Sequence, residues 1–410
     1  MYRVNNKIYP LSIDKMNTIN LSSLEKGEIN NYNINTIYFS GSIKKTQIYF
    51  TDLELYYIGK IHDHIYFRYE ILENLGKGSY SNVFKIYDHK YNKNYALKIS
   101  KSSEKYNSSI QHEIDILNIC KNIYLKEYYE IRAENKLNGK NENNHDIINN
   151  NNITNNITNE LIALYDTSFI YRNHTMIKLR IYGDNLYSGR EKFKKMEFHD
   201  KLTISKQMFQ ALEFLKKCPI SIIHGDIKPE NILFKNNDAD CINIVLTDFG
   251  LSKISNEYLY LSRGELLQSR YYRAPEIIFN IKYNINIDIW SVGCVIYEIF
   301  KSKPLIYSKE DNDVLLYIHG VLGIPTDDYI NSDIYISKNY TKNNNQYYPN
   351  KITDYKGKKV EPNSLNNTLI SVEPIFDKLF DLIKKCVKYD DTQRITPEEA
   401  IELLNTFYSK

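Results

Sequence analysis

Four polar side chains close together in the sequence have the types and spacing to handle a phosphoryl group. Asp226, Lys228 and Asn231 lie in His224-Gly225-Asp226-Ile227-Lys228-Pro229-Glu230-Asn231, and Asp248 lies in Thr247-Asp248-Phe249-Gly250. Asp226 can take a proton from an incoming hydroxyl, and Lys228 can meet negative charge on that oxygen. Asn231 and Asp248 offer hard oxygen ligands, which suit Mg²⁺ because it takes few carboxylates beside phosphate oxygens. The bland alternative is a hairpin with chance acidic residues. The length and order of the string argue against it.

Such groups need a phosphate cradle and a cation, and the chain offers both upstream. In Leu75-Gly76-Lys77-Gly78-Ser79-Tyr80-Ser81-Asn82-Val83 two glycines sit between apolar strand-like runs, so the backbone can approach a triphosphate closely. Gly76-Lys77-Gly78 alone would read as an ordinary hairpin turn. What raises it is Val83 and the lysine strand Tyr95-Ala96-Leu97-Lys98. Lys98 needs a carboxylate to hold it. Glu113 is the favoured partner, from a helix with Ile110, Ile114 and Leu117 along one stripe, and Glu104 and Asp115 are lesser candidates.

The chain has 410 residues, 42% of them hydrophobic and 25% charged, enough for two or three units with cores of their own. A net charge of +3 points to neither nucleic acid nor a membrane surface. Five scattered cysteines suggest no zinc site or disulfide framework, hence a reducing compartment. With no signal-like or membrane-spanning stretch, the expectation is an intracellular protein of cytoplasm or nucleus, acting as a monomer.

Residues 1–66 read as an extension, with Ile37-Tyr38-Phe39 and Ile48-Tyr49-Phe50 forming a hairpin that packs on the first lobe. Residues 67–182 read as a strand-rich lobe ending in the strand-like pieces Leu161–Tyr165 and Thr175–Tyr182, with a disordered polar loop at about 134–160. Gly183 reads as a hinge into a mainly helical lobe, 183–410, with an Asn- and Lys-rich insertion at about 326–366. Helices are expected over Leu202–Lys217, with Phe209, Leu212 and Leu215 inward, and over Ile287–Phe300, buried at the lobe's centre.

These strings resemble the eukaryotic protein kinases over roughly 68–408, through the H-x-D-x-x-x-x-N and D-F-G pattern, Ala274-Pro275-Glu276 and Arg394. Gln268-Ser269-Arg270-Tyr271-Tyr272-Arg273 is similar to the DYRK group of the CMGC kinases, its homeodomain-interacting branch in particular. The resemblance implies an α+β bilobal kinase fold with a small β-rich N-lobe and a larger helical C-lobe. It implies ATP and Mg²⁺ as cofactors and protein Ser/Thr substrates, with proline favoured after the target. Asp226 would be the catalytic base, Lys228 its support, Lys98 with Glu113 the phosphate clamp, and Asn231 with Asp248 the metal ligands. Nucleotide contacts would come from Leu75, Gly76, Lys77, Gly78, Ser79, Val83, Ala96, Lys98, Leu179, Ile181, Tyr182 and Leu233. Leu179 falls at the gatekeeper position, and Glu276 would pair with Arg394.

The chain departs from the pattern in places. Ser81 replaces the third glycine of the loop, which should strain the backbone there. Gly225 stands where most kinases have arginine, and Arg180 where an acidic residue is common. The group's activation tyrosine is replaced by Gly264-Glu265-Leu266, so Glu265 is expected to give Arg270 and Arg273 a permanent carboxylate and keep the enzyme competent. A scaffold without turnover is the competing reading, and a small-molecule or lipid kinase a third. The complete set Lys98, Glu113, Asp226, Lys228, Asn231 and Asp248 favours an active enzyme.

Overall fold

A computed structural model describes residues 2–4, 7–9, 11–12, 21–39, 51–137, 160–188, 195–236, 242–362 and 374–408. The chain divides into two compact units, Met1–Thr158 with Ala163–Tyr182, and Asn159–Ile162 with Gly183–Lys410.

The first unit begins with a pair of short strands, β1 (Tyr2–Val4) and β2 (Lys7–Tyr9), followed by β3 (Leu11–Ser12), helix α1 (Ser23–Asn31) and β4 (Thr36–Ile37). α1 starts with a capping box: Glu25 N–H donates to Ser22 Oγ at 3.2 Å, and Ser22 N–H to Glu25 Oε2 at 2.7 Å. Of the expected hairpin of residues 37–50, Ile37 pairs with Leu11, and the second arm, 48–50, lies outside the described residues.

The main sheet has the order β5-β6-β7-β8-β10-β9, with β5 His64–Ile65, β6 Tyr69–Lys77, β7 Ser81–Asp88, β8 Lys93–Ser100, β9 Tyr165–Tyr171 and β10 His174–Arg180. Strand alternation sends Phe84, Ile86, Tyr95, Leu97 and Ile99 to one buried face. Lys178 also faces that way. Its ammonium is buried against Asp88 at 3.2 Å and Asp166 at 2.7 Å, which offsets its desolvation. Leu161–Tyr165 is not a strand, apart from a bridge between Ile162 and Leu246; the strand starts at Tyr165. α2 runs over Glu104–Leu137, past the point where a loop was expected, and the rest of that insertion, 138–159, lies outside the described residues.

In the second unit, helix Phe198–Lys217 buries Phe209, Leu212 and Leu215. Helix Asn286–Lys301 is mostly apolar and buried from Ile287 to Ile299, Asp288 and Glu298 included. Gly293 lets helix Pro374–Cys386 approach closely, since a Cβ there would stand 2.5 Å from Cys386 Cβ. Glu276 and Arg394 form a buried bidentate pair at 2.6 and 2.7 Å. The stretch 326–362 is folded: two short helices and the hairpin Tyr340–Asn343 with Gln346–Pro349 are held on Phe279 by Ile330, Ile336 and Tyr340.

Candidate active site

In the first unit, register settles which side chains share the open face of the sheet. Val83 lies opposite Lys98 and Leu179 opposite Ala96, and Ala96 is two residues from Lys98, so all four point to the face away from the core. Lys98 Nζ donates to both carboxylate oxygens of Glu113 at 2.7 Å. Glu113 is buried in the stripe Ile110, Glu113, Ile114, Leu117, the i, i+3, i+4, i+7 face of α2. Glu113 is thus the lysine's partner, rather than Glu104 or Asp115.

Leu75, Gly76, Lys77, Gly78 and Ser79 are exposed around the loop tip. A Cβ on Gly76 would meet nothing within 4 Å, which leaves the open space a phosphate needs. The Lys77 side chain turns to the N-terminal segment, 3.1 Å from Glu54 and over the Tyr56 ring. The strain expected at Ser81 is absent: it opens β7 with an ordinary negative φ, and Gly78 N–H donates to its carbonyl at 2.8 Å. At the end of β10, Arg180 N–H is committed to Leu164 O at 3.0 Å, and beyond it the Tyr182 hydroxyl accepts from Leu164 N–H at 2.9 Å. Ile181 between them is half-buried.

In the second unit two small ladders bracket the catalytic string, β11 (Ile222–Ile223) with β14 (Lys253–Ile254) and β12 (Ile232–Phe234) with β13 (Ile244–Leu246). Leu233 is half-buried in β12. Asp288, from the buried helix, accepts from His224 N–H at 2.6 Å and Gly225 N–H at 2.9 Å and so anchors the turn. Burial pushes the Asp288 carboxyl up to about 7, while those two N–H donors pull the other way. Gly225 has φ +75°, and a Cβ there would lie 2.8 Å from Leu267 Cδ1 and 3.1 Å from Leu251 O, so backbone and space both call for glycine.

His224 is buried, which lowers its pKa and keeps it neutral. Its Nε2 lies 3.0 Å from Thr247 O and therefore carries the proton, while Nδ1 accepts from Asp226 N–H at 3.2 Å. One imidazole thus links the loop of Asp226 to the residue before Asp248. Asp248 has φ +68°, a costly conformation for a non-glycine residue and a frequent mark of functional sites.

Asp226 Oδ1 accepts from Ser269 N–H at 3.0 Å and Ser269 Oγ at 2.7 Å, and Oδ2 from Lys228 Nζ at 2.7 Å and Asn231 Nδ2 at 3.2 Å. These donors fill the carboxylate's four lone-pair sites, so an incoming hydroxyl must displace one; the Asn231 contact is the longest. Asn231 Nδ2 also donates to Asp226 O at 2.8 Å, which turns Asn231 Oδ1 to the other side of the amide. One amide oxygen and one carboxylate fit a Mg²⁺ that keeps water and phosphate as its other ligands.

The activation segment corrects the expectation for Glu265. Its carboxylate pairs with Lys253 and accepts from Ser262 N–H at 2.8 Å; burial works against its charge, but these partners hold its pKa below the usual range. Asp311 meets the two arginines instead, at 3.0 Å from Arg270 Nη2 and 2.7 Å from Arg273 Nη1. Arg270, and then Arg273, hold the Asp311 carboxyl below the usual range. Arg273 also donates to Gln268 O at 3.2 and 3.0 Å, and Gln268 has φ +61°. The sequence reading missed Ser269, Asp288 and Asp311 as parts of the site. The first two lie in strings it singled out; Asp311 had no local signal.

A family model described as Protein kinase domain matches residues 69–404. The chain is 30% identical to human dual specificity tyrosine-phosphorylation-regulated kinase 4 over 356 residues, 86% of this chain and 60% of that protein. It is 31% identical over 366 residues to a putative dual specificity tyrosine-phosphorylation-regulated kinase 3 homolog of Drosophila melanogaster, covering 84% of this chain and 39% of that one. A probable serine/threonine-protein kinase dyrk2 of Dictyostelium discoideum is 30% identical over 401 residues, 93% of this chain and 38% of that one. The chain therefore spans between 38% and 60% of the length of these relatives.

Proposed function

Because the chain belongs to the protein kinase family, and within it is DYRK-like, we propose that it transfers the γ-phosphoryl of ATP to serine and threonine hydroxyls of proteins. The observation that carries this reading is Asp226, held by Lys228, Asn231 and two donors of Ser269. Its Oδ2 takes the hydroxyl proton, and Lys228 stays beside the oxygen that attacks phosphorus. Lys98, fixed by Glu113, holds the α- and β-phosphates. Mg²⁺ on Asn231 and Asp248 would neutralise charge on the phosphates. Little covalent chemistry falls to the protein, so positioning and charge account for the rate.

A preference for proline after the target residue is supported by Gln268. Its left-handed backbone carbonyl is already taken by Arg273 and is withheld from a substrate N–H. Proline has no N–H to leave unpaired, so it alone avoids that cost. Activity without activation-segment phosphorylation is supported by Asp311, which fills the place between Arg270 and Arg273. Transfer of labelled phosphate from ATP to Ser-Pro, Thr-Pro, Ser-Ala and Tyr-Pro peptides tests the reading. Ser-Pro and Thr-Pro should lead; no incorporation into any peptide favours a scaffold without turnover.

A further inference from the structure

We propose that Tyr56, in the segment before the main sheet, is a positioning residue whose hydroxyl braces the glycine loop with its amides turned towards phosphate. The inference rests on the nucleotide-binding reading above and adds a residue to it.

Tyr56 sits in a tight turn built for it. Thr51 bridges to Tyr57, Asp52 N–H donates to Tyr56 O at 2.9 Å, and Asp52 Oδ1 accepts from Glu54 N–H at 2.9 Å and Tyr56 N–H at 2.8 Å. The ring is buried, and two ammonium groups lie over it, Lys77 Nζ at 3.8 Å and Lys101 Nζ at 4.2 Å from its centroid. Its hydroxyl lies 2.7 Å from Gly78 O and 3.2 Å from Ser79 O.

A trans peptide points its N–H opposite its carbonyl. With the Gly78 and Ser79 carbonyls drawn to Tyr56, the amides of Ser79 and Tyr80 face the other side of the loop. Glycine-rich loops hold phosphate with such amides. The loop end is also fixed, by Gly78 N–H to Ser81 O at 2.8 Å and Lys101 N–H to Tyr80 O at 3.0 Å. With serine in place of the third glycine, a hydroxyl from outside the loop sets which way its peptide groups face.

Tyr56→Phe keeps the ring, its packing and its cations and removes only the hydroxyl. Titration calorimetry of the full chain with Mg²⁺-ATP and with adenosine reads the effect. Loss of one hydrogen bond predicts roughly three- to tenfold weaker ATP binding and unchanged adenosine binding, since adenosine has no phosphate. Unchanged ATP affinity, or an equal loss for both ligands, overturns the brace while leaving the kinase reading intact. A wild-type chain that binds neither ligand overturns the reading and this inference with it.

Discussion

Arg273 holds Asp311 at 2.7 Å through Nη1 while its Nε and Nη2 hold the Gln268 carbonyl, so one guanidinium ties an acidic turn to the segment expected to meet substrate. Asp311 is about half exposed, so water screens the pair and its worth is modest. Asp311→Ala should lower kcat/KM on a Ser-Pro peptide by roughly three- to tenfold in enzyme shown by mass to be unphosphorylated. Glu265→Ala, which frees Lys253 rather than the arginines, should change it far less. If the two variants behave alike, Asp311 has no special part.

Arg273→Ala should act on selectivity more than on turnover. With the Gln268 carbonyl released, a substrate N–H gains an acceptor, and the preference for Ser-Pro over Ser-Ala should shrink by about tenfold. Comparing kcat/KM for the two peptides checks this. An undiminished preference would mean that proline is chosen by some other contact.

Lys98→Met should cost stability as well as activity. Glu113 is 4% exposed and would be left as a buried carboxylate without its cation, a loss of about 3 kcal/mol. The double variant Lys98→Met, Glu113→Leu should recover much of that in urea unfolding and none of the activity. A single variant as stable as wild type would show that Glu113 has another partner.

The N-terminal helix should be acid-sensitive. Burial works to raise the Glu25 pKa, but the His64 ring 3.7 Å away and hydrogen bonds from the Ser22 backbone and hydroxyl outweigh it and bring it to about 2, from an ordinary 4.5. A depressed carboxylate contributes stability that is present above the unfolded value and lost as pH falls through the folded one. Glu25→Gln should therefore destabilise by about 2–3 kcal/mol at pH 7 and much less near pH 2. Urea melts at both values measure it, and a penalty that stays constant with pH would contradict the assignment.

What could be read in advance was local. The strand alternation around Phe84 and Leu97, the stripe of α2 and the apolar run 287–299 each carry their own period, and the string from His224 to Asn231 carries its chemistry in its order. α1 was hidden although its box Ser22-x-x-Glu25 is in plain view. Its buried face carries Glu25 and Glu28, acidic residues paired with His64 and Arg172, and so does not look apolar. Asp311 was hidden by distance, 41 residues from Arg270, whereas Glu265 stood near enough to suggest itself; Lys253 claims it instead. The stretch after residue 326 reads only as an Asn- and Lys-rich insertion because three apolar anchors, Ile330, Ile336 and Tyr340, suffice to hold it.

Asp226→Asn is the sharpest test of Asp226 as the base of a phosphoryl transfer. The amide keeps the size and one acceptor oxygen but cannot take the proton. In a single-turnover assay with Mg²⁺-ATP and a Ser-Pro peptide, the account predicts a rate reduced by about 10²- to 10⁴-fold, with ATP affinity within a few-fold of wild type. A variant that transfers phosphate at the wild-type rate would contradict it.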